Sequence, residues 1–277
     1  MFQGKKIGVT VPAYNEEALV ATTILNIPPY VDRIYVVNDR STDGTHRLLC
    51  QMCLTNDKMV LINHTVNRGV GAAIVTGYKK CLEDGMDIAV VMAGDNQMDP
   101  AELPRLLAPV VGGEAGYSKG NRMSSARDMK GMPTWRRLGN WLLRWFTGLS
   151  SGNSKIMDPQ NGYTAASAEA LRSIDLDSVY PRYGYCNDLL VKFTVSNVRI
   201  SEVPMRARYL GEKSKIRYRE YIPRVTWLLL RSLAWRMRIG RSSFNQRTSA
   251  ADRGRFASGA NSLVEAKRYP SGLSDDG

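Results

Sequence analysis

Ile88-Ala-Val-Val-Met92 runs directly into Ala93-Gly-Asp95-Asn-Gln97-Met-Asp99. A short, unbroken apolar run rich in β-branched residues, closed by Gly and Asp, reads as a buried strand of a parallel sheet. It delivers a carboxylate and an amide, Asp95 and Gln97, to the strand's C-terminal end, where open α/β sheets bind ligands. Hard oxygen donors at that place suit Mg²⁺ or Mn²⁺ held on a diphosphate.

Outward from this strand the first half alternates regularly. Strands are predicted over Ile7–Ala13, Arg33–Asn38, Met59–Asn63 and Ile88–Ala93, and helices over Glu16–Asn26, Thr45–Leu54, Val70–Glu83 and Pro100–Val111. Such βαβ alternation predicts an α/β fold, a mostly parallel sheet with helices on both faces. The second half is less regular. Gly116–Arg122 reads as another strand, Met157–Ala166 and Arg199–Tyr209 as extended, and Arg182–Ser196 as helical. From Ser242 the chain is rich in Ser, Gly, Arg and Ala, so residues 242–277 are expected to be a disordered tail.

Charge is uneven. Residues 1–110 carry 10 Lys+Arg and 12 Asp+Glu, whereas residues 111–277 carry 28 and 14. The basic half calls for an anionic partner: nucleic acid, a membrane or a phosphorylated lipid. Its positive residues interleave with apolar helix faces and no nucleic-acid-binding motif occurs, which argues against nucleic acid. The four Cys form no paired framework. Cys50-Gln-Met-Cys53 reads as the apolar face of a helix, and a reducing compartment is expected. Neither a signal-peptide pattern nor an apolar run long enough to span a bilayer is seen.

Three more segments join the first. Strand one ends in Val11-Pro12-Ala-Tyr14-Asn-Glu16-Glu17, and strand two in Val37-Asn-Asp39-Arg-Ser-Thr-Asp43-Gly-Thr45. At a strand tip the Asp39 carboxylate can accept from a ribose hydroxyl or a base N–H, while Asp43 would cap the next helix. Asn67-Arg-Gly69-Val-Gly71 places two glycines at a helix N-terminus, where backbone is expected to approach a ligand. Read singly, Asp39 is as readily a turn residue and the glycines a tight turn.

In this order and spacing the segments resemble family 2 glycosyltransferases of the GT-A fold, and more closely the polyprenyl-phosphate sugar transferases of the dolichyl-phosphate mannose synthase group. The resemblance covers about residues 5–240 and extends to Lys119-Gly-Asn-Arg122, Asp158-Pro-Gln-Asn-Gly-Tyr163 and Tyr183-Gly-Tyr-Cys-Asn-Asp188. It implies a Rossmann-like GT-A domain over residues 1–210. Pro12, Tyr14, Glu16 and Asp39 would line a nucleoside pocket. Gly69, Gly71 and Lys119 would contribute to donor binding. Asp95 and Gln97 would hold the metal, Lys119 and Arg122 would face phosphates, and Asp158 and Gln160 would lie near the transferred sugar or the metal. Many relatives carry D-x-D where this chain has Ala93-Gly-Asp95. The metal would then rest on Asp95, Gln97 and the diphosphate, leaving a weakened metal site or a reaction without metal dependence as alternatives.

The implied reaction is inverting transfer from a UDP- or GDP-sugar to a polyprenyl phosphate, which as an anion needs no general base. The alternative is transfer to a sugar hydroxyl, which does need one, and Asp188 is the candidate, unless it simply bonds backbone within its helix. A non-catalytic binder of nucleotide-sugars is a third reading, suggested by Ala93. His46 and His64 read as structural or surface residues.

All five Trp fall in two segments. In 135–149, Trp135, Leu138, Leu142, Trp145 and Leu149 step by three and four along one helix face, with Arg137, Asn140, Arg144 and Thr147 on another. Over 211–241 a basic loop, Glu212-Lys-Ser-Lys-Ile-Arg-Tyr-Arg219, precedes an amphipathic helix with Trp227 and Trp235, where Arg224, Arg231 and Arg238 recur every seven residues. Basic helices bearing Trp and Leu suit a bilayer interface. Peripheral, salt-sensitive attachment at the cytoplasmic membrane face is therefore expected, with the basic loop as a candidate lid.

Overall fold

The structure, a computed structural model, describes residues 1–124, 134–153, 156–206 and 223–238. The basic loop 212–219 and the tail from Ser242 lie outside these residues, as do the side chains of Trp135, Leu138 and Leu142.

Seven strands form one sheet in the order β3-β2-β1-β4-β6-β5-β7. They are β1 (Ile7–Ala13), β2 (Arg33–Asn38), β3 (Met59–Asn63), β4 (Ile88–Val91), β5 (Tyr117–Asn121), β6 (Thr164–Ser167) and β7 (Ile200–Pro204). β1, β2, β3 and β4 pair in parallel, as do β5 and β7. β6 alone runs antiparallel, between β4 and β5. The chain winds outward from β1 to β3 and then crosses back to β4. The order therefore reverses between β1 and β4, where a doubly wound sheet opens its ligand crevice.

Alternation along β1 sends Ile7, Val9 and Val11 to one face, where α1 (Val20–Leu25), α2 (Thr45–Cys53) and α4 (Leu103–Val111) cover them. Tyr35 and Ala89 face the opposite side, beneath α3 (Val70–Glu83), α6 (Ala168–Arg172) and α7 (Tyr185–Val195). Both faces are thus buried, which explains why β1 and β4 read as nearly unbroken apolar runs. Outside this sandwich lie α5 (Thr134–Ser151) and a further helix, α8, over residues 223–238. Leu143 and Phe146 of α5 pack on Val225 and Leu229 of α8, and Trp235 packs on Val191 of α7.

Several predicted boundaries move, for local reasons. The first helix begins at Val20 rather than Glu16. Asn15 adopts φ 54°, and the N–H groups of Asn15, Glu16 and Glu17 donate to Ser41 Oγ, Thr45 Oγ1 and Asp43 Oδ2. Residues 14–17 are thereby tied to the loop after β2 and are not free to start a helix. Asp43 also accepts from the Thr45 N–H, but the N-cap position is Gly44. The segment from Pro100 opens as a 3-10 turn over Pro100–Glu102, capped by Asp99, before α4 begins. Met157–Ala166 is mostly loop, with only Thr164–Ser167 in a strand. Cys50 is exposed and only Cys53 packs against the core, so the expected apolar face of α2 is half realised.

Candidate active site

The tips of β1, β2 and β4 meet at the switch point. Asp39, just beyond β2, is 2% exposed. Its Oδ1 accepts from Arg68 N–H at 2.8 Å and Oδ2 from Gly69 N–H at 2.7 Å. His64 Nδ1 lies 2.7 Å from Oδ1, and its other ring nitrogen meets Thr76 Oγ1 at 2.9 Å. Asn67 Nδ2 donates to the Asp39 carbonyl. The carboxylate expected to meet a ligand thus first organises its own chain, clamping the Asn67–Gly69 loop at the head of α3. His64 is structural and buried rather than a surface residue.

The two glycines of that loop serve a close approach, though to the protein's own backbone. A Cβ on Gly71 would stand 2.2 Å from the Tyr180 carbonyl oxygen, and one on Gly69 (φ 92°) 2.7 Å from that of Pro181. The Ala72 N–H donates to the same Pro181 carbonyl at 2.9 Å.

At the β4 tip, Asn96 takes a left-handed φ of 56°, and Asp95 Oδ1 accepts from the Gln97 N–H at 3.1 Å. This tight turn holds Asp95 and Gln97 side by side, both half-buried. Gly94 lies against the Pro12 carbonyl and the Glu16 side chain, so the β1 and β4 tips are contiguous. Tyr14 is exposed nearby in sequence. Tyr183 is exposed over much of its ring, but desolvation of its hydroxyl, then the charges of Asp95 and Glu16, push its phenol above the usual range.

At the far tips, Arg122 follows β5 and grips Asp158 along one edge of its guanidinium, Nε to Oδ2 at 2.8 Å and Nη2 to Oδ1 at 3.1 Å, and its backbone N–H donates to Oδ2 at 3.0 Å. Asp158 is fully buried. Burial alone would push its carboxyl up, but the Arg122 charge and hydrogen bonds hold it below the usual aspartate range. Glu202 of β7 supports the same loop, accepting from the N–H groups of Met157 and Asp158. Lys119, expected to face phosphates, is instead wholly buried and donates to the Asp158 carbonyl; burial pushes its ammonium below the usual range. Asp95, Gln97, Asp99 and Glu102 share one cleft with Arg122 and Arg206.

Asp188 is also closed off. It is 0% exposed in the first turn of α7. Its Oδ2 accepts from the Tyr180 N–H at 2.8 Å and from Lys192 Nζ at 2.5 Å. Gln160 is turned toward α7, donating to Asn187 Oδ1, and Asn187 donates in turn to Thr147 of α5.

Comparison with known proteins places this arrangement. The profile of glycosyl transferase family 2 matches residues 9–175. The chain belongs to that family. It is a nucleotide-sugar-dependent glycosyltransferase of the GT-A type. The transferase is 31% identical over 218 residues to the UDP-N-acetylglucosamine–dolichyl-phosphate N-acetylglucosaminyltransferase of Methanococcus voltae, covering 74% of this chain and 86% of that one. It is 33% identical over 208 residues to the polyprenol monophosphomannose synthase of Mycolicibacterium smegmatis, covering 71% and 75%. In fold it is similar to glucosyl-3-phosphoglycerate synthase of Mycobacterium tuberculosis, crystallised with Mn²⁺, uridine diphosphate and glucosyl-3-phosphoglycerate, with TM-score 0.60, 22% identity, and coverage of 84% and 80%.

Within the transferase, the donor set at the β4 tip suits a hard divalent cation. Among the described residues no cluster of three or more His, Cys, Asp or Glu forms a cage. Two protein oxygens fit an ion that completes its shell with phosphate oxygens and water, as Mg²⁺ commonly does. Sequence reading missed Arg206, Asp99, Glu102 and Glu202. The signal for Glu202 was present, a carboxylate inside a strand where an unpaired charge would be costly. Arg206 carried only its position just past a strand end.

The two outer helices present an apolar surface. Trp141, Trp145 and Leu149 of α5 and Trp227, Leu230 and Met237 of α8 are all exposed. Trp235, expected at the same surface, is in the core. Among the described residues no helix is long and apolar enough to cross a membrane.

Proposed function

We propose that this transferase moves a sugar, with inversion, from a nucleoside-diphosphate sugar to a polyprenyl phosphate at the cytoplasmic face of a membrane. The observation that carries the reading is the distribution of charge in one cleft: oxygen donors from the β4 tip share it with guanidinium groups from the tips of β5 and β7. The names of the relatives, transferases acting on dolichyl and polyprenyl phosphates, support the same acceptor class.

In this reading Pro12, Tyr14, Glu16 and Asp39 frame the nucleoside. Asp95 and Gln97 would hold Mg²⁺ or Mn²⁺, which would supply positive charge to the diphosphate. Arg122, oriented by Asp158, and Arg206 receive the acceptor phosphate. An acceptor phosphate oxygen forms the new bond to the anomeric carbon as the bond to the donor diphosphate breaks, and the nucleoside diphosphate departs with that electron pair. No proton has to move, because the nucleophile is already an anion. Positioning and charge neutralisation then supply the catalysis. The burial of Asp188, the base that hydroxyl transfer would require, favours the phosphate acceptor.

The apolar face on α5 and α8 is read as resting in an anionic membrane surface. Arg224 and Arg238 are exposed on α8, and the second half of the chain carries the excess of Lys and Arg. Attachment of this kind is peripheral and weakens with salt.

The test is transfer of label from UDP- and GDP-sugars to a short-chain polyprenyl phosphate in detergent with Mg²⁺ or Mn²⁺. Label entering the organic phase, and lost in Asp95→Ala, is the expected result. Donor that binds but never labels the lipid would transfer the assignment to a hydroxyl acceptor.

A further inference from the structure

Asp188 and Lys192 form a fully buried pair that the transfer chemistry above does not use. The pair sits where α7, α8 and the loop before α7 converge: Lys192 is 3% exposed, and Arg231 of α8 lies close enough to act on its charge. From Asp188 a continuous line of contacts leads to the donor side. Asp188 Oδ2 fixes the Tyr180 N–H. The next carbonyls, those of Tyr180 and Pro181, fill the space left by the missing side chains of Gly71 and Gly69, and Pro181 accepts from the Ala72 N–H. On its other side the Asn67–Gly71 loop is held by the Asp39 carboxylate through Arg68 and Gly69. The two segments thus meet between two buried carboxylates: Asp39 holds the Arg68 and Gly69 N–H groups of the first, and Asp188 the Tyr180 N–H of the second.

We propose that Asp188 is a positioning residue of the donor site: held by Lys192, its carboxylate seats the Tyr180-Pro181 backbone against the Asn67–Gly71 loop and so sets the shape of the nucleoside pocket. This rests on the nucleotide-sugar reading above. Asp188 acts here through backbone it holds and touches no substrate. The property that matters is its acceptor oxygen toward Tyr180 rather than its charge or basicity.

Two paired variants separate these roles. Asp188→Asn with Lys192→Met removes both charges but keeps an acceptor for the Tyr180 N–H. Asp188→Leu with Lys192→Met removes the acceptor as well, with a side chain of the same branching and heavy-atom count. Replacing a buried pair with apolar residues of similar size is often tolerated by the fold. UDP and GDP are titrated calorimetrically with Mn²⁺, and steady-state transfer gives KM for donor and acceptor. Whichever nucleotide binds the wild type is expected to bind the Asn variant within about twofold. The Leu variant should bind it up to about tenfold more weakly, the worth of one ordinary hydrogen bond. Donor KM should rise with it, while KM for polyprenyl phosphate stays unchanged. Equal nucleotide affinity in wild type and Leu variant overturns the proposal and leaves the transferase reading standing. A kcat lost already in the Asn variant, with donor KM unchanged, overturns it in favour of Asp188 as a base. If the wild type binds neither nucleotide, both fall.

A second measurement needs no variant. Amide exchange at Tyr180 and Ala72 of the wild type is expected to slow when the binding nucleotide is added. Unchanged exchange at both amides also overturns the proposal.

Discussion

The two sides of the crevice hold their loops with the same device used in different ways. On the β1–β3 side, Asp39 is a buried carboxylate whose partners are mainly backbone N–H groups, and its loop is fixed without a strong cation. On the β5–β7 side, Asp158 is equally buried but gripped by a bidentate arginine that remains partly exposed to the cleft. The first arrangement makes a rigid frame. The second makes a frame and also presents an oriented positive group, since a planar guanidinium paired twice along one edge has little freedom left. One side of the sheet is therefore built for shape and the other for charge.

The sharpest way to break this contrast is Asp158→Ala. Removing the buried carboxylate leaves a partly exposed Arg122 without its hydrogen-bond partner, at a cost of about 1–3 kcal/mol. Transfer should also fall by about two orders of magnitude, because Arg122 loses its orientation as well as its partner. Urea unfolding and the rate of lipid labelling measure the two effects separately. On the other side, Asp39→Ala leaves the Arg68 and Gly69 N–H groups without their acceptor. Hydrogen bonds to a charged group are worth about 1.5–3 kcal/mol each, so unfolding should come at markedly lower urea. The kinetic defect should appear in donor KM more than in kcat. A defect confined to kcat would erase the distinction between a shape side and a charge side.

Acid sharpens the comparison further. The Asp158 carboxyl is held below its ordinary value of 3.8, the Arg122 charge and hydrogen bonds overcoming the effect of burial. A depressed carboxyl stabilises the fold above 3.8, and that contribution disappears as pH falls through the folded-state value. Wild-type stability is therefore expected to drop below pH 3.8, and Asp158→Asn should flatten that part of the acid-unfolding curve. A curve of unchanged steepness would mean that other carboxylates carry the transition.

The same asymmetry governs what the sequence revealed. Along β1 to β4 the periodicity of strands and the strand-tip motifs is set by local rules, burial on two faces and turn chemistry, so Val70–Glu83 was legible to the residue. The β5–β7 side is built from pairings distant in sequence, such as Arg122 with Asp158 and Glu202 with the Met157 N–H. No window of sequence contains both partners. The resemblance implied that Lys119 faces phosphates; only the fold shows its ammonium under the Asp158 loop. Asp188 looked available for catalysis, yet the i,i+4 spacing to Lys192 already contained its partner. The glycines marked a close approach correctly, but whether the neighbour is a ligand or the chain itself is decided by Tyr180 and Pro181, far along the sequence. Gly71→Ala tests that point: with the Tyr180 oxygen 2.2 Å from the new Cβ, backbone must move, and a loss of about 1–3 kcal/mol is expected.

The smallest expected effect on the fold concerns α8, where two Trp eight residues apart serve different ends. Trp235 is 8% exposed against Val191, while Trp227 is 62% exposed. Because Trp227 buries little in the protein alone, Trp227→Ala should shift unfolding by no more than about 0.5 kcal/mol. If α5 and α8 rest in a bilayer interface, the same change should weaken sedimentation with anionic vesicles and leave detergent-phase transfer intact, because the aromatic ring matters only where it meets lipid headgroups. Salt should weaken what binding remains, through Arg224 and Arg238. Unchanged vesicle binding in Trp227→Ala, with stability also unchanged, would mean that this face of the helix meets neither the core nor the membrane, and the basic half of the chain would need another anionic partner.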